Sequence, residues 1–224
     1  MKKLITTLCV AFSFTLFSPM ANANPALDEI IPNPSAYEFS VLLQLLAPDK
    51  NQEPNELLTK LPTMPTRITW MTLKEDISKY HNHPAHYGNF KLSPVSPKSK
   101  SNIYINDFDP VIMTYPQKDN RPPQIRLGID YFYRYFTTPS NPFEDSEETT
   151  SQLLISYFKQ QNITFEVLET PTEKPSRFSE GPTLLKISLP NKKDIWLSIK
   201  AQLTNRAHIT DILILYANPQ NDKN

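Results

Sequence analysis

Three of the four histidines in the chain lie within one short run, KYHNHPAHYGNF, residues 79–90. His81 and His83 are two positions apart, so an extended backbone points both imidazoles to the same side. Pro84 favours that extended backbone at His83, and His86 could return across the turn that follows. Because zinc sites use three or four nitrogen, oxygen or sulfur ligands at such spacings, His81, His83 and His86 are candidate ligands for zinc or another divalent transition metal.

A polar surface turn is the alternative interpretation of the same run. Residues 82–85 combine asparagine, histidine, proline and alanine, and asparagine and proline are turn-forming residues. Glu75 or Asp76 could complete the ligands of a metal site, whereas the one cysteine, Cys9, lies in an N-terminal segment that is expected to be removed. We therefore favour the turn, and with it a protein that carries no cofactor.

A second candidate site is the aromatic run QIRLGIDYFYRYFTT, residues 124–138. Alternation of side chains predicts one long strand here, with Tyr131, Tyr133 and Tyr135 on the same side. An aromatic run of this kind could stack on sugars or receive a partner protein, so the three tyrosines are candidate partner-binding residues. Aromatic residues at strand spacing also occur in protein cores, and the core remains the alternative for them.

No motif for enzyme catalysis stands out in the sequence. The chain has only three glycines, far apart, which excludes a phosphate-binding loop, a dinucleotide fingerprint and the G-x-S-x-G nucleophile motif. The acidic residues at 144–148 do not have the spacing of a calcium loop, and Asp107 and Asp109 fit a turn before Pro110 better than a catalytic pair. The sequence favours a protein without catalytic activity, and a hydrolase with dispersed catalytic residues remains an alternative.

The first 23 residues are typical of a secretory signal peptide. Lys2 and Lys3 precede an apolar stretch at residues 4–17, which is shorter than the roughly 20 residues that a membrane span needs. The small residues Ala21 and Ala23 predict cleavage after Ala23. We expect export to the periplasm of a bacterium, with secretion outside the cell as the alternative. No second long apolar run follows, so no stable membrane span is expected after cleavage.

Charge excludes one large class of partner. The precursor has 23 basic and 23 acidic residues, and loss of Lys2 and Lys3 with the signal leaves 21 basic residues against 23 acidic ones. A nucleic-acid-binding protein needs a basic surface, so nucleic acid is not an expected partner.

The 22 prolines divide the chain into segments, since proline does not fit inside a helix or a central strand without cost. Residues 24–65 predict an N-terminal helical arm, and residues 66–224 an α+β domain with its core at 144–217. In that core, a helix capped by Asp145 or Ser146 precedes four segments of alternating apolar residues. Trp70 and Trp196 are expected to anchor the interior.

The predicted fold is therefore α+β: an antiparallel sheet, in which the C-terminal helix is followed by a four-strand meander, with the N-terminal helices packed on it. This order of elements is similar to that of cystatin-like and NTF2-like sheets, but no motif ties the chain to either family. The combined prediction is an exported protein-binding module of the bacterial envelope. Its partner would be another envelope or secreted protein, and it would act as an accessory subunit of an envelope assembly or as an immunity or inhibitor protein. The sequence leaves the oligomeric state open.

Overall fold

The structure, a computed structural model, describes residues 36–71, 83–93, 109–118, 121–130, 132, 135, 149–171, 179–203 and 208–221. All of them belong to one unit of the chain, Pro32–Asn224. The helices are α1 (Phe39–Leu46), α2 (Pro54–Lys60), which continues into a 3-10 turn at Leu61–Thr63, and α3 (Thr150–Gln160). The strands are β1 (Ala36–Tyr37), β2 (Thr69–Met71), β3 (His86–Asn89), β4 (Lys91–Leu92), β5 (Val111–Tyr115), β6 (Gln124–Asp130), β7 (Thr164–Glu169), β8 (Ser179–Ser188), β9 (Ile195–Leu203) and β10 (His208–Leu215).

Eight of these strands form one sheet in the order β2-β3-β5-β6-β10-β9-β8-β7, and every neighbouring pair is antiparallel. The two short strands β1 and β4 pair with each other in parallel. The prediction of an α+β fold with an antiparallel sheet is confirmed. The sheet is wider than the four strands that the sequence predicts, because β10 also pairs with β6 and so joins the C-terminal strands to those that precede α3.

One face of this sheet is largely apolar where its central strands meet. Residues that stand directly opposite one another in antiparallel strands share a face, so the register identifies its members. They form two rows across neighbouring strands, Ile112, Leu127, Ile212 and Ile199 in one and Ile125, Ile214, Leu197 and Leu185 in the other. We call these residues the covered face, because each of them has 0% of its surface exposed.

The N-terminal helices and α3 contribute to the same hydrophobic core as the covered face. Phe39 of α1 lies against the rings of Tyr157 and Phe158 of α3, at centroid distances of 6.1 and 6.4 Å. At the far end of α1, the carbonyl of Leu46 accepts a hydrogen bond of 3.0 Å from the hydroxyl of Tyr216, which follows β10. Residues of the predicted N-terminal arm therefore pack into the interior of the sheet domain.

The start of α3 differs from the prediction. The sequence pointed to Asp145 or Ser146 as the cap, and this was wrong because Thr149 holds that position. The Thr149 hydroxyl accepts a hydrogen bond from the backbone N–H of Gln152, and the Gln152 side chain accepts one from the backbone N–H of Thr149. This reciprocal capping box satisfies two backbone donors that the first turn would otherwise leave unpaired. The helix ends before Asn162, which adopts a φ of 52°.

Strand β6 is shorter than the strand predicted for residues 124–138, since it ends at Asp130. Ile125, Leu127 and Ile129 occupy the covered side, so a continuous strand would place Phe132 on the opposite side. Phe132 instead lies in a turn, and its ring packs edge-on against Phe39 at 6.5 Å. The turn lets a residue that alternation assigns to the opposite side of the sheet reach the core, and alternation alone gave no sign of this.

No helix in the described part of the chain is long and apolar enough to cross a membrane.

Candidate functional site

The histidine run is described only in part. His86 lies in β3 opposite Thr114, and its ring meets Trp70 edge-on at a centroid distance of 6.2 Å. Partial burial beside these neighbours lowers the pKa of His86, because it disfavours the charged imidazolium. His83 is exposed three residues earlier. His81 lies outside the described residues, as do Glu75 and Asp76.

No metal centre is formed by the part of the run that the structure describes. Among residues 36–71, 83–93 and the other described ranges, no three histidine, aspartate, glutamate or cysteine side chains come together to hold an ion. The environment of His86, packed against an indole within a strand, is that of a structural residue. The alternative of a metal site formed by His81, His83 and His86 stays untested as a set, because His81 lies outside the described residues.

Of the three tyrosines of the second candidate site, the structure describes Tyr135. Tyr135 is 5% exposed and belongs to the hydrophobic core, in agreement with the core alternative for that residue. Its backbone N–H donates to the carbonyl of Phe132 at 3.0 Å, and Tyr135 is itself helical rather than part of a strand. Tyr131 and Tyr133 lie outside the described residues. Partner binding by the tyrosines as a set stays a prediction.

A different candidate emerges on the side of the sheet opposite the covered face. Here the register again places residues opposite one another in two rows, Tyr87, Met113, Arg126 and Leu213 in one and Leu215, Trp196, Lys186 and Glu166 in the other. We call these residues the open face. In contrast to the covered face, each of them is at least partly exposed.

An ion pair lies at the centre of the open face. Arg126 donates two hydrogen bonds to the Asp211 carboxylate, from Nε at 2.9 Å and from a terminal nitrogen at 2.8 Å. These hydrogen bonds raise the pKa of Arg126, and the adjacent negative charge acts in the same direction. The side chains keep 47% and 29% of their surfaces exposed, so the pair remains accessible to a partner. Such a two-pronged pair holds the guanidinium plane in a fixed orientation.

A second charged group stands near the rim of the open face. Lys186 lies 2.9 Å from one carboxylate oxygen of Asp194, and the Ser188 hydroxyl donates to the other at 2.8 Å. The hydrogen bond from Lys186 lowers the pKa of Asp194, and the one from Ser188 contributes to the same effect. Lys186 also stands opposite Glu166 of β7, so charges of alternating sign follow this row to the edge of the sheet.

The two tryptophans have different environments. Trp70 packs against the hydrophobic core, as expected. Trp196 lies instead on the open face, between Leu215 and Lys186, and it is only partly buried. The signal was present in the sequence: Trp196 is flanked by Ile195 and Leu197, both 0% exposed, so alternation assigns it to the other side. Treating every tryptophan as a core anchor obscured that signal.

Comparison with known proteins adds no relative to this description. No family model matches the chain, and neither the search of curated proteins nor the search of solved structures gives a significant match.

Proposed function

We propose that this protein is exported to the bacterial envelope and there binds another protein, without catalysing a reaction. The observation that carries the proposal is the open face, a broad sheet surface that combines partly exposed apolar side chains with a fixed ion pair. The helix α3 and the four-strand meander that follows it would serve as the framework that holds half of this surface in place.

The chemistry of the open face resembles that of protein interfaces. Tyrosine, tryptophan, methionine and arginine are the residue types enriched at such interfaces, and each contributes here through Tyr87, Trp196, Met113 and Arg126. Their neighbours Leu213 and Leu215 add apolar area. A partner that covers these side chains would gain roughly 25 cal/mol for each Å² of apolar surface removed from water.

The N-terminal segment supports the proposed location. A positive start, an apolar stretch and the Ala21-Asn22-Ala23 sequence are the three parts of a signal peptide. N-terminal sequencing of protein from a periplasmic extract should give a chain that begins at Asn24. Protein that begins at Met1 and fractionates with the membrane would contradict the proposed export.

The binding function is tested by capture of proteins from the envelope of the native cell. Purified protein, the variants Trp196→Ala and Leu213→Ser, and the control Val41→Ser are immobilised in parallel. Val41 is a suitable control because it is 50% exposed and belongs to α1 rather than to the open face. We expect a protein that is captured by the parent and by the control but is depleted with both open-face variants.

Two results would count against the proposal. Capture that is equal for the parent and for both open-face variants would show that the open face is not the binding surface. Absence of any protein that the parent captures in preference to a blank support would argue against binding to an envelope protein. Circular dichroism of each variant establishes that the fold is intact before capture is compared.

A further inference from the structure

Strand β7 forms one end of the eight-stranded sheet, and within the described residues it pairs only with β8. The outer side of such a strand presents backbone N–H and carbonyl groups that an additional extended chain can pair with. Proteins use this geometry to bind a peptide as an added strand, where backbone hydrogen bonds supply affinity and alternate side chains supply specificity. β7 is six residues long, whereas β2 at the other end has only three, so β7 offers the longer edge.

A β-bulge determines which side chains of β7 share a face. Val167 stands opposite Leu185, but Glu169 stands opposite Leu184, so β7 contains one additional residue between these pairs. A regular strand would place Val167 and Glu169 on the same side. With the bulge, Glu169 moves to the side of Leu184 and Lys186, which is also the side of Glu166. Both acidic side chains of β7 therefore lie at the rim of the open face.

The other side of β7 has apolar character. Phe165 stands opposite Ile187 and Val167 opposite Leu185, so both lie on the side of the covered face. Phe165 packs against the hydrophobic core, and its ring is 5.9 Å from that of Phe158. Val167, however, keeps 42% of its surface exposed and is one of only three large apolar side chains among the described residues with such exposure. An added strand would cover it.

We infer that β7 receives an extended segment of the partner as a ninth strand, and that this segment alternates basic with apolar residues. Its basic residues would stand beside Glu166 and Glu169 on the rim of the open face, and its apolar residues would cover Val167 on the other side. Opposite charges across neighbouring strands stabilise the pairing, whereas like charges weaken it. The inference rests on the proposed protein-binding function and specifies one element of the partner.

A second copy of this chain fits the same edge less well. If two β7 strands paired about a two-fold axis perpendicular to the sheet, the open faces of both copies would lie on the same side. Glu166 and Glu169 of one copy would then meet the same residues of the other, which places four carboxylates along one seam. Charge complementarity therefore favours a basic segment of a different protein.

The probe for the test is a fluorescein-labelled peptide of alternating lysine and valine residues, and binding to the purified protein is measured by fluorescence anisotropy. We expect saturable binding that Glu166→Lys weakens about fivefold, the size of a strong cross-strand charge pair. Val167→Lys should weaken it as well. The control Val41→Lys adds the same charge to another exposed valine and should leave binding unchanged. Hydrogen exchange of the complex should show new protection in β7.

Several outcomes would overturn the inference. They are absence of saturable binding, equal affinity for a peptide of alternating glutamate and valine, and insensitivity to Glu166→Lys. A dimer in sedimentation that Val167→Lys dissociates would assign the edge to a second copy instead. The capture experiment on Trp196 and Leu213 separates this failure from failure of the proposed function, because a partner lost with those variants would still show binding at the open face.

Discussion

The two faces of the central sheet are built from the same strands and yet differ in the burial of their side chains. On the covered face, isoleucine and leucine residues stand opposite one another with 0% exposure. On the open face, the alternate residues of those strands include Arg126, Trp196 and Lys186, all at least partly exposed. Since successive residues point to opposite sides, one stretch of sequence supplies both the buried interior of the fold and the exposed surface for which we propose a binding role.

Because of this difference, substitutions on the two faces should affect different properties of the protein. Substitution on the covered face leaves a cavity in a close-packed interior, so its cost appears in the free energy of unfolding. Substitution on the open face removes contacts that are partly hydrated already, so its cost should appear mainly in binding. The comparison can be tested by measuring both quantities for matched changes on the two sides.

The largest effect is expected in the core that covers the sheet. Phe158 is 0% exposed and lies against the rings of Phe39, Tyr157 and Phe165. Phe158→Ala should lower the free energy of unfolding by about 3–5 kcal/mol, measured by urea denaturation. Leu213→Ala on the open face should cost about 1 kcal/mol or less, because its side chain is only partly buried. Equal losses for the two variants would remove the distinction between the faces.

The next effect concerns the helix that packs over the covered face. Thr149→Ala removes the hydroxyl of the capping box and should reduce the free energy of unfolding by about 1 kcal/mol. Thr59→Ala in α2 is a matched control, because its hydroxyl donates to the carbonyl of Asn55 on an exposed surface. The control should change stability by about 0.5 kcal/mol or less. A control that is as destabilised as Thr149→Ala would show that capping is not the cause.

The ion pair of the open face should contribute less to stability. A double-mutant cycle with Arg126→Met and Asp211→Asn is expected to give a coupling energy of about 0.2–1 kcal/mol, because both side chains are substantially exposed. The pair between Glu56 and Lys60 serves as a reference, with an expected value of about 0.3–0.5 kcal/mol for neighbours on an exposed helix. A coupling of several kcal/mol would mean that the open face is itself part of the core.

The smallest effect is a dependence on pH from the side of the sheet that bears the covered face. Burial lowers the pKa of His86 below its ordinary value of 6.5, so the unfolded chain binds the proton more readily. Stability from this residue is therefore complete above pH 6.5 and is lost as the pH falls towards the pKa of the folded state. His86→Gln should flatten the decline of the melting temperature in that range. An unaltered slope for His86→Gln would contradict the assignment.

The sequence predicted those features that depend on local pattern. Alternation identified the apolar residues of β6, β9 and β10, and it could have placed Trp196 on the open face. It did not show that β6 ends at Asp130, because Phe132 reaches the core through a turn that depends on Phe39, far away in the sequence. The acidic residues before α3 suggested a cap, but Thr149 is the residue whose partner, Gln152, completes the reciprocal hydrogen bonds.

The pairing of distant strands could not be predicted from the sequence for a related reason. The ion pair of Arg126 with Asp211 joins residues 85 positions apart, and nothing in either segment specifies the other as its neighbour. Many pairs of apolar strands would satisfy the same alternation. The open face was therefore not recognised as a candidate site, since its two rows exist only once β6 and β10 are side by side.

The position of β10 between β6 and β9 also has a consequence for the order of events during synthesis. β10 leaves the ribosome after every other described strand, and yet it occupies an interior place in the sheet. Until residues 208–215 are available, β6 and β9 have no strand to join them, and the sheet remains in two separate parts. Joining them closes a long loop, which delays folding relative to the formation of hairpins. A nascent chain of this protein therefore cannot complete the described sheet until residues 208–215 have been made.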